Sequence, residues 1–242
     1  MVCLNFMSHA VPQIFTLGDN AIVIELSNTI DIATSEKLIA MHKWFLKKQF
    51  AFVRDVVIGY NSLVVYYSIS KLREEEENEV AYKKMELLLL DAFRESVTGN
   101  GVEQKVIIIP VCYAKQYAYD IEELASAKGI SEQEIITLHT SQIYRVYMIG
   151  FMAGFPYMAH IDEKLVYPRK QRPRQFVSAG SVGIAGAQTG IYPFASPAGW
   201  NIIGRTPLKI FDRTKQNPSL LKPGDYVQFI SIKEEEFENL TH

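Results

Sequence analysis

The stretch SAGSVGIAGAQTGIYPFASPAGWNIIGRTPLKIFD, from Ser178 to Asp212, decides the fold class of the C-terminal half. Short apolar runs such as SVGIAG, TGIYP and WNIIG alternate there with glycine and proline. The same pattern begins near Tyr144 and continues to the run YVQFI. Many short strands with turn signals between them are typical of a small β-barrel or a β-sandwich, and they argue against a helical domain.

The N-terminal stretch, from Pro12 to about Thr98, alternates between strand-like and helix-like segments. The segment IFTLGDNAIVIEL predicts two strands around a turn, and FVRDVVIGYNSLVVYYSI predicts two more. Residues Ile32 to Lys48 predict a helix with Asp31 or Thr34 as its cap, and a second long helix is expected to begin in the acidic run Glu74 to Glu77. The order ββαββα predicts an α+β unit with two helices on one sheet face.

The segment Gly99-Asn100-Gly101 is the predicted domain boundary, because turn residues follow there on the end of a long helix. We expect an α+β N-terminal domain over residues 1–98 and a β-barrel domain over residues 99–242. After the boundary, KVIIIPVCY predicts a strand, and two helices follow. Asp120 begins the first and Gly129 ends it, whereas a capping box beginning at Ser131 opens the second. The tail KEEEFENLTH is expected to be solvated or frayed.

Composition excludes several classes of protein. The net charge of −2 argues against nucleic acid, which requires concentrated positive charge. Cys3 and Cys112 form neither a CxxC motif nor a metal cluster, so no disulfide framework and no metal site is predicted. The opening MVCLNFMSHA lacks the features of a secretory signal, and the longest apolar runs are too short to cross a membrane. We therefore expect a cytoplasmic protein without a membrane partner.

Two segments carry a resemblance to a known family. They are HTSQIYRVYMIGFMAGFPYM, from His139 to Met158, and the stretch from Ser178 to Asp212 quoted above. Together with the pairs Pro168-Arg169 and Pro173-Arg174, they resemble the signature of the family that contains the B subunit of prokaryotic 5-oxoprolinase (PxpB) and KipI. The same module is similar to allophanate hydrolase subunit 1 and to part of the carboxyltransferase region of urea amidolyase.

This resemblance implies a small α+β domain followed by a cyclophilin-like β-barrel. It also implies work with 5-oxoprolinase subunits A and C in the ATP-driven conversion of 5-oxo-L-proline to L-glutamate, with ATP as the cofactor of the complex and little activity in the chain alone. As an alternative, KipI-type members bind a sensor histidine kinase and block its autophosphorylation. The cyclophilin-like barrel also raises peptidyl-prolyl isomerisation, although fold analogy does not establish function.

The chain departs from the family pattern at three positions. Ala153 stands where the family usually has the first proline of its GF-x-PGFPY motif, Ser178 stands in the place of a proline, and Ala198 in that of a glycine. Each exchange is between small residues, so the expected fold is unchanged.

The candidate substrate-binding residues mix hydrogen-bond donors, cations and aromatic walls, as a pocket for a small anion or amide requires. They are Arg169, Arg174, Gln188, Thr189, Tyr192, Ser196, Trp200 and Thr206. Arg205 is the first choice for a catalytic contact to a carboxylate or phosphoryl group, with a structural salt bridge or carbonyl cap as the alternative. His139 is a candidate acid–base group, or else a cap of helix carbonyls. The basic loop around Arg169 could steer an acidic substrate, a phosphoryl group or ATP, although a solvated loop is the commoner outcome of such a run.

The turn Phe155, Pro156 and Tyr157 is rigid and could present an aromatic edge to a partner. The Gly-rich run could direct backbone N–H groups to an anion or simply permit tight barrel turns, and no P-loop motif occurs. The sequence contains no Ser-His-Asp order, paired-carboxylate motif or metal constellation. A site completed by another polypeptide is therefore predicted.

Overall fold

The computed structural model describes residues 12–75, 80–98 and 106–241. The chain divides into two compact units, residues 1–102 and 103–242. The predicted boundary at Gly99-Asn100-Gly101 lies outside the described residues, so its position stays a prediction.

The N-terminal unit is a four-stranded antiparallel sheet with helices. Its elements are β1 (Gln13–Thr16), β2 (Ala21–Glu25), α1 (Ile32–Lys48), β3 (Val53–Ile58), β4 (Ser62–Tyr67), α2 (Ile69–Glu75) and α3 (Ala81–Glu95). The strands are ordered β1-β2-β4-β3. The four predicted strands and α1 are confirmed, and Asp31 caps α1 by accepting the N–H of Thr34 at 2.8 Å. Leu38 and Met41 of α1 pack against strand residues such as Ile24.

The second predicted helix is wrong in its start. Two helices stand in its place: α2 ends at Glu75 and α3 begins at Ala81. The first forms because Leu72 is buried in the core, 1% exposed, and its N–H bonds the carbonyl of Ser68 at 3.0 Å. Acidic charge alone therefore did not decide where the helix begins. Residues 76–79, which include the second half of the acidic run, lie outside the described part.

The C-terminal unit contains a closed seven-stranded barrel. Its strands and helices are β5 (Val106–Cys112), α4 (Ile121–Lys128), α5 (Glu132–Thr140), β6 (Ile143–Ile149), β7 (Pro156–Ala159), β8 (Arg174–Val177), β9 (Ser181–Ala185), β10 (Gln188–Ile191), β11 (Ser196–Ala198), β12 (Asn201–Arg205), β13 (Tyr226–Ile232) and α6 (Glu234–Thr241). The barrel order is β10-β7-β6-β13-β5-β12-β9, and β9 closes onto β10. Strands β5 and β13 pair in parallel, whereas β8 and β11 form a separate ribbon. The mixed α/β class with a barrel is confirmed.

The barrel interior is apolar, and its strands alternate between inside and outside. Val182, Ile184 and Ile191 fill the interior together with Phe229. A closed barrel leaves no free strand edge along its seven strands, so its shape is fixed by backbone pairing as well as by packing.

The C-terminal tail, expected to be solvated or frayed, is solvated but helical: the side chains of α6 are exposed except for that of Phe237. Phe237 of α6 is 4% exposed, and its ring lies 4.4 Å from the ring of Tyr117. The N–H of Lys233 bonds the carboxylate of Glu236 at 3.0 Å, which satisfies a donor next to the start of the helix. The glutamates around Phe237 made the segment look solvated in the sequence, so the burial of this aromatic residue was not predicted. Over residues 12–75, 80–98 and 106–241, the structure contains no helix long and apolar enough to cross a membrane.

Candidate functional site

Four aromatic side chains form a cluster on the outer side of the barrel, which we call the aromatic face. They are Phe155, Tyr157, Tyr192 and Trp200. The ring of Phe155 lies 5.0 Å from Tyr192 and 5.3 Å from Trp200, in both cases nearly edge-to-face. Tyr157 lies 5.7 Å from Trp200 and is half-buried. These contacts give a rigid aromatic wall with Tyr157 at its solvent side.

The sequence of β10 explains how this strand packs against the aromatic wall. Residues alternate along the strand, so Ile191 points into the barrel and Gln188 lies on the same outer face as Tyr192. At Gly190, a Cβ would lie 2.9 Å from the ring of Phe155. The glycine is needed for this close approach. Gln188 thus stands at one end of the aromatic face, half-buried.

Arg169 brings positive charge to this wall. Its guanidinium carbon lies 6.0 Å from the ring centroid of Trp200, within cation–π range, and the residue is exposed. Burial raises the pKa of Tyr192 to about 12 and also raises the pKa of Tyr157, whereas the charge of Arg169 opposes both shifts. Both phenols are therefore neutral donors at physiological pH. A guanidinium beside an apolar wall suits a small carboxylate with an apolar body.

The loop that carries Arg169 is fixed at both ends. Its neighbour Pro168 accepts the side-chain amide of Asn201 at 2.9 Å, and the N–H of Lys170 bonds the carbonyl of Gly199 at 2.8 Å. The loop is thus anchored through its backbone at Pro168 and Lys170, whereas the side chains of Arg169 and Arg172 are exposed, as a solvated loop predicts. Arg174 is engaged elsewhere, because its guanidinium pairs with the carboxylate of Asp120.

His139 lies inside the barrel rather than at the aromatic face. Its Nδ1 lies 2.7 Å from the Tyr113 hydroxyl, and its Nε2 lies 2.9 Å from Oγ1 of Thr189. Because Thr189 donates to the carbonyl of Gly183, it accepts from Nε2–H, so this network assigns the proton of a neutral ring to Nε2. The ring also stacks 4.5 Å from Phe229.

Burial governs the chemistry of His139. The side chain is 0% exposed, and burial lowers its pKa from 6.5 to about 3. A neutral imidazole with both nitrogens hydrogen-bonded inside an apolar barrel has no open position for a substrate proton. The geometry therefore favours a structural role for His139 and Thr189 as part of the barrel core.

Arg205 also lies away from the aromatic face. It occupies the end of β12, whereas Trp200 directly precedes the strand, and five residues of strand separate them by roughly 16 Å. Its Nε donates to the carbonyl of Ala179 at 2.8 Å, and its guanidinium packs against Tyr117 and Phe237. The carbonyl cap that the sequence left open as the alternative for Arg205 is thus observed.

Two further candidates make local contacts. Thr206 is buried and accepts the N–H of Leu208 at 3.2 Å, which shapes the turn after β12. Ser196 is half-buried on β11 and donates to the carbonyl of Pro197 at 3.1 Å. Neither contact brings these side chains to Arg169. The structure therefore brings Arg169, Tyr192 and Trp200 together beside the predicted partner-binding turn. Gln188 lies on the same outer face of the barrel, and the other candidates lie elsewhere.

A separate open cleft lies between β5, β13 and the start of α6. It is lined by Cys112, Tyr113, Ala114, Ile136, Ser231, Ile232, Lys233, Glu234 and Glu235. None of the predicted site residues lines this cleft. No group of three or more histidine, cysteine or acidic side chains in the described ranges could hold a metal ion.

Comparison with known proteins gives a consistent assignment. Residues 12–221 match the family model described as the carboxyltransferase domain, subdomain C and D. The chain is 33% identical to the 5-oxoprolinase B subunit of Bacillus subtilis over 93% of this chain and 95% of that protein. It is 36% identical to the 5-oxoprolinase B subunit of Escherichia coli O157:H7 over 91% of this chain and 96% of that protein. The chain belongs to the family of 5-oxoprolinase B subunits.

A solved structure supports the same fold. The crystal structure of TTHA0988 has a TM-score of 0.75 and is 30% identical over 88% of this chain. The present chain spans 40% of the length of that protein. In TTHA0988, a module with this fold is thus continuous with further sequence.

The residue that the sequence analysis missed in this family member is Asp120. It was interpreted only as the start of a helix, yet its side chain makes no capping hydrogen bond to α4. The sequence contains one signal of this residue, although far from it along the chain: basic residues recur in the loop between Arg169 and Arg174. A set of cations held close together needs an anion. Only the fold shows which carboxylate supplies it.

Proposed function

We propose that this chain is the B subunit of an ATP-dependent 5-oxoprolinase complex that converts 5-oxo-L-proline to L-glutamate. The observation that carries the proposal is the match to 5-oxoprolinase B subunits over nearly their whole length, 96% for the E. coli protein at 36% identity. The proposal includes ATP as a co-substrate of the complex and subunits A and C as partners. The chain alone is expected to be inactive.

The need for ATP follows from the chemistry of the lactam. An unstrained amide is a poor electrophile, so transfer of the γ-phosphoryl group of ATP to the lactam oxygen, with departure of ADP, activates the ring carbon. Water then adds to that carbon and the C–N bond breaks. A second water releases phosphate, which leaves L-glutamate. No residue of this chain is assigned to the phosphoryl transfer.

Within this reaction, we assign Arg169 to the carboxylate of 5-oxo-L-proline. Its guanidinium is exposed beside Trp200, and the aromatic face offers an apolar wall for a five-membered ring. The predicted catalytic roles of His139 and Arg205 are not part of the proposal. His139 is enclosed in the barrel, and the guanidinium of Arg205 packs against Phe237 of α6.

The proposal extends to the fold class and the location. We take the barrel to be cyclophilin-like and the two compact units to be separate domains, the first α+β. A reducing compartment such as the cytoplasm is consistent with Cys112, which is buried as a free thiol.

An exposed phenylalanine near the aromatic face favours a protein partner. Phe151 is 70% exposed, its backbone is left-handed (φ 65°), and its ring lies 5.9 Å from Phe155. A strained, exposed aromatic beside a packed cluster is a common feature of a binding surface. The C subunit of the complex is the occupant that we propose for this surface.

Reconstitution tests the function directly. The chain is mixed with candidate subunits A and C, and glutamate formation and ADP release are measured with 5-oxo-L-proline and ATP. We expect activity from the complete mixture and none from the chain alone or from the mixture without it. Equal activity with and without this chain would refute the proposal.

The same exposed surface also supports a second candidate, inhibition of a sensor histidine kinase. Phe151 could contact the helices of a kinase as readily as it contacts part of an enzyme complex. This candidate predicts that the chain suppresses kinase autophosphorylation and that Phe151→Ser abolishes the effect. If the chain does not suppress the autophosphorylation of any kinase encoded beside it, this second candidate is rejected.

A further inference from the structure

Asp120 is a buried anion that joins two elements of the C-terminal unit. The residue is 1% exposed. Burial raises the pKa of Asp120, but hydrogen bonds from Arg174, Lys170 and the backbone of Ile202 outweigh it, so the pKa lies below its ordinary value. Asp120 is therefore ionised at neutral pH, and its charge is balanced by direct partners.

One set of these partners lies in the loop that carries Arg169. The Nζ of Lys170 lies 2.7 Å from one carboxylate oxygen of Asp120, which also accepts from a terminal nitrogen of Arg174. The Nε of Arg174 lies 3.3 Å from the other oxygen, so the guanidinium grips the carboxylate with two nitrogens. Asp120 thus fixes the loop on the C-terminal side of Arg169.

The other partner lies in the strand that follows Trp200. The N–H of Ile202 donates to the carboxylate of Asp120 at 2.8 Å, and the N–H of Asp120 donates to the carbonyl of Ile202 at 2.8 Å. Ile202 stands two residues after Trp200 on the same outer face. A single residue therefore holds both chain segments that meet where Arg169 covers Trp200.

The charges around the loop also distinguish Arg169 from its basic neighbours. Four basic residues crowd this loop: Arg169, Lys170, Arg172 and Arg174. Asp120 pairs with both Lys170 and Arg174, and Glu123, 2.8 Å from Lys170, supplies the second negative charge that balances these two cations. With these two cations occupied, the exposed guanidinium of Arg169 lies over the indole and faces solvent.

We propose that Asp120 is a positioning residue of the substrate site: by holding Lys170, Arg174 and Ile202, it sets Arg169 over Trp200 in the geometry that receives a small carboxylate. The reaction part of this inference rests on the proposed 5-oxoprolinase function, whereas the geometric part does not.

Tryptophan fluorescence tests the geometric part in the full chain. The sequence has two tryptophans, so Trp44→Phe leaves Trp200 as the single emitter. In that background, Asp120→Asn should increase acrylamide quenching of Trp200 about twofold, because the loop no longer covers the ring. Glu122→Gln is the matched control: it removes a carboxylate from the same region that pairs with exposed Lys115, and quenching should stay unchanged.

Kinetics of the reconstituted complex test the part played in the reaction. Asp120→Asn should raise KM for 5-oxo-L-proline about tenfold with kcat changed less than about twofold, because binding weakens while the phosphoryl transfer chemistry is untouched. Arg174→Lys, which keeps the charge but loses the two-nitrogen grip, should give a smaller increase of KM in the same direction. Glu122→Gln should match the wild type.

The outcomes separate the two claims. If the wild-type complex has no activity but Asp120→Asn still exposes Trp200, the proposed function fails and the positioning role stands. If quenching is the same in Asp120→Asn and the wild type, the positioning role is refuted whatever the activity. Should Asp120→Asn not fold, Arg174→Lys decides by the same quenching measurement, and unchanged quenching there overturns the proposal.

Discussion

The guanidinium carbon of Arg205 lies 5.6 Å from the ring centroid of Phe237. This contact joins the end of barrel strand β12 to the C-terminal helix α6. The ring of Tyr117 lies against both residues, 5.9 Å from the Arg205 guanidinium and 4.4 Å from Phe237. Arg205 therefore acts as a packing residue for α6, and the cation available beside the aromatic face is Arg169.

Removal of the aromatic anchor should release this helix. Phe237→Ala is expected to abolish the slow hydrogen exchange of the backbone amides from residue 237 to 241, because Phe237 is the buried side chain of α6. Its loss should also destabilise the docked state by about 3 to 5 kcal/mol. Leu240→Ala, at a position 55% exposed, is the control and should leave exchange unchanged. Protection that survives in Phe237→Ala would show that α6 is held by other contacts.

The buried imidazole should make stability depend on pH. The pKa of His139 is about 3 in the folded chain and 6.5 for the free group, so the unfolded state binds more protons between these values. The contribution of neutral His139 to the free energy of unfolding is therefore fully present above pH 6.5 and declines as the pH falls towards 3. The decline is worth about 1.4 kcal/mol per pH unit.

A comparison with His139→Gln isolates this effect. The variant should be less stable than the wild type at pH 7, and the difference should shrink as the pH falls, since only the wild type gains a proton at residue 139 when it unfolds. Urea unfolding at several pH values measures it. A constant difference between wild type and His139→Gln would contradict the argument.

The departure from the family pattern at Ala153 gives a stability prediction. The N–H of Phe155 bonds the carbonyl of Met152 at 3.1 Å, and Gly154 has φ 82°. These are the features of a type II turn, in which Ala153 occupies the second position, where proline is favoured. Ala153→Pro should therefore stabilise the chain by about 0.4 to 1 kcal/mol, by restricting the unfolded state.

Thermal unfolding measures this gain, and the neighbouring residue supplies the contrast. Gly154→Ala should be destabilising, because a Cβ there would lie 2.8 Å from Phe211 and the backbone is left-handed. A lower melting temperature for Ala153→Pro would mean that the turn does not have the proline-compatible geometry.

Local patterns predicted the elements well where one residue decides the structure. Asp31 marks the start of α1, and Ser131 the start of α5, because each side chain accepts a backbone N–H within its own turn. Alternating apolar residues and glycines likewise predicted the barrel. These signals are local, and the sequence displays them directly.

Long-range partners could not be predicted in the same way. The choice between Arg169 and Arg205 depends on which cation meets Asp120, Trp200 or Phe237, and these residues are brought together only by barrel closure. The glutamates around Phe237 suggested a solvated tail, although one apolar ring suffices to dock the helix. The burial of His139 also depends on strands far from it in sequence, so the sequence could not show that its ring is enclosed.

The most direct test of the account is the substrate KM of two arginine variants in the reconstituted complex. If the aromatic face binds 5-oxo-L-proline through Arg169, Arg169→Gln should raise KM at least about tenfold, since a charge-assisted contact is worth about 1.5 to 3 kcal/mol. Arg205→Gln should leave KM close to that of the wild type. A large KM increase for Arg205→Gln together with an unchanged KM for Arg169→Gln would contradict the account.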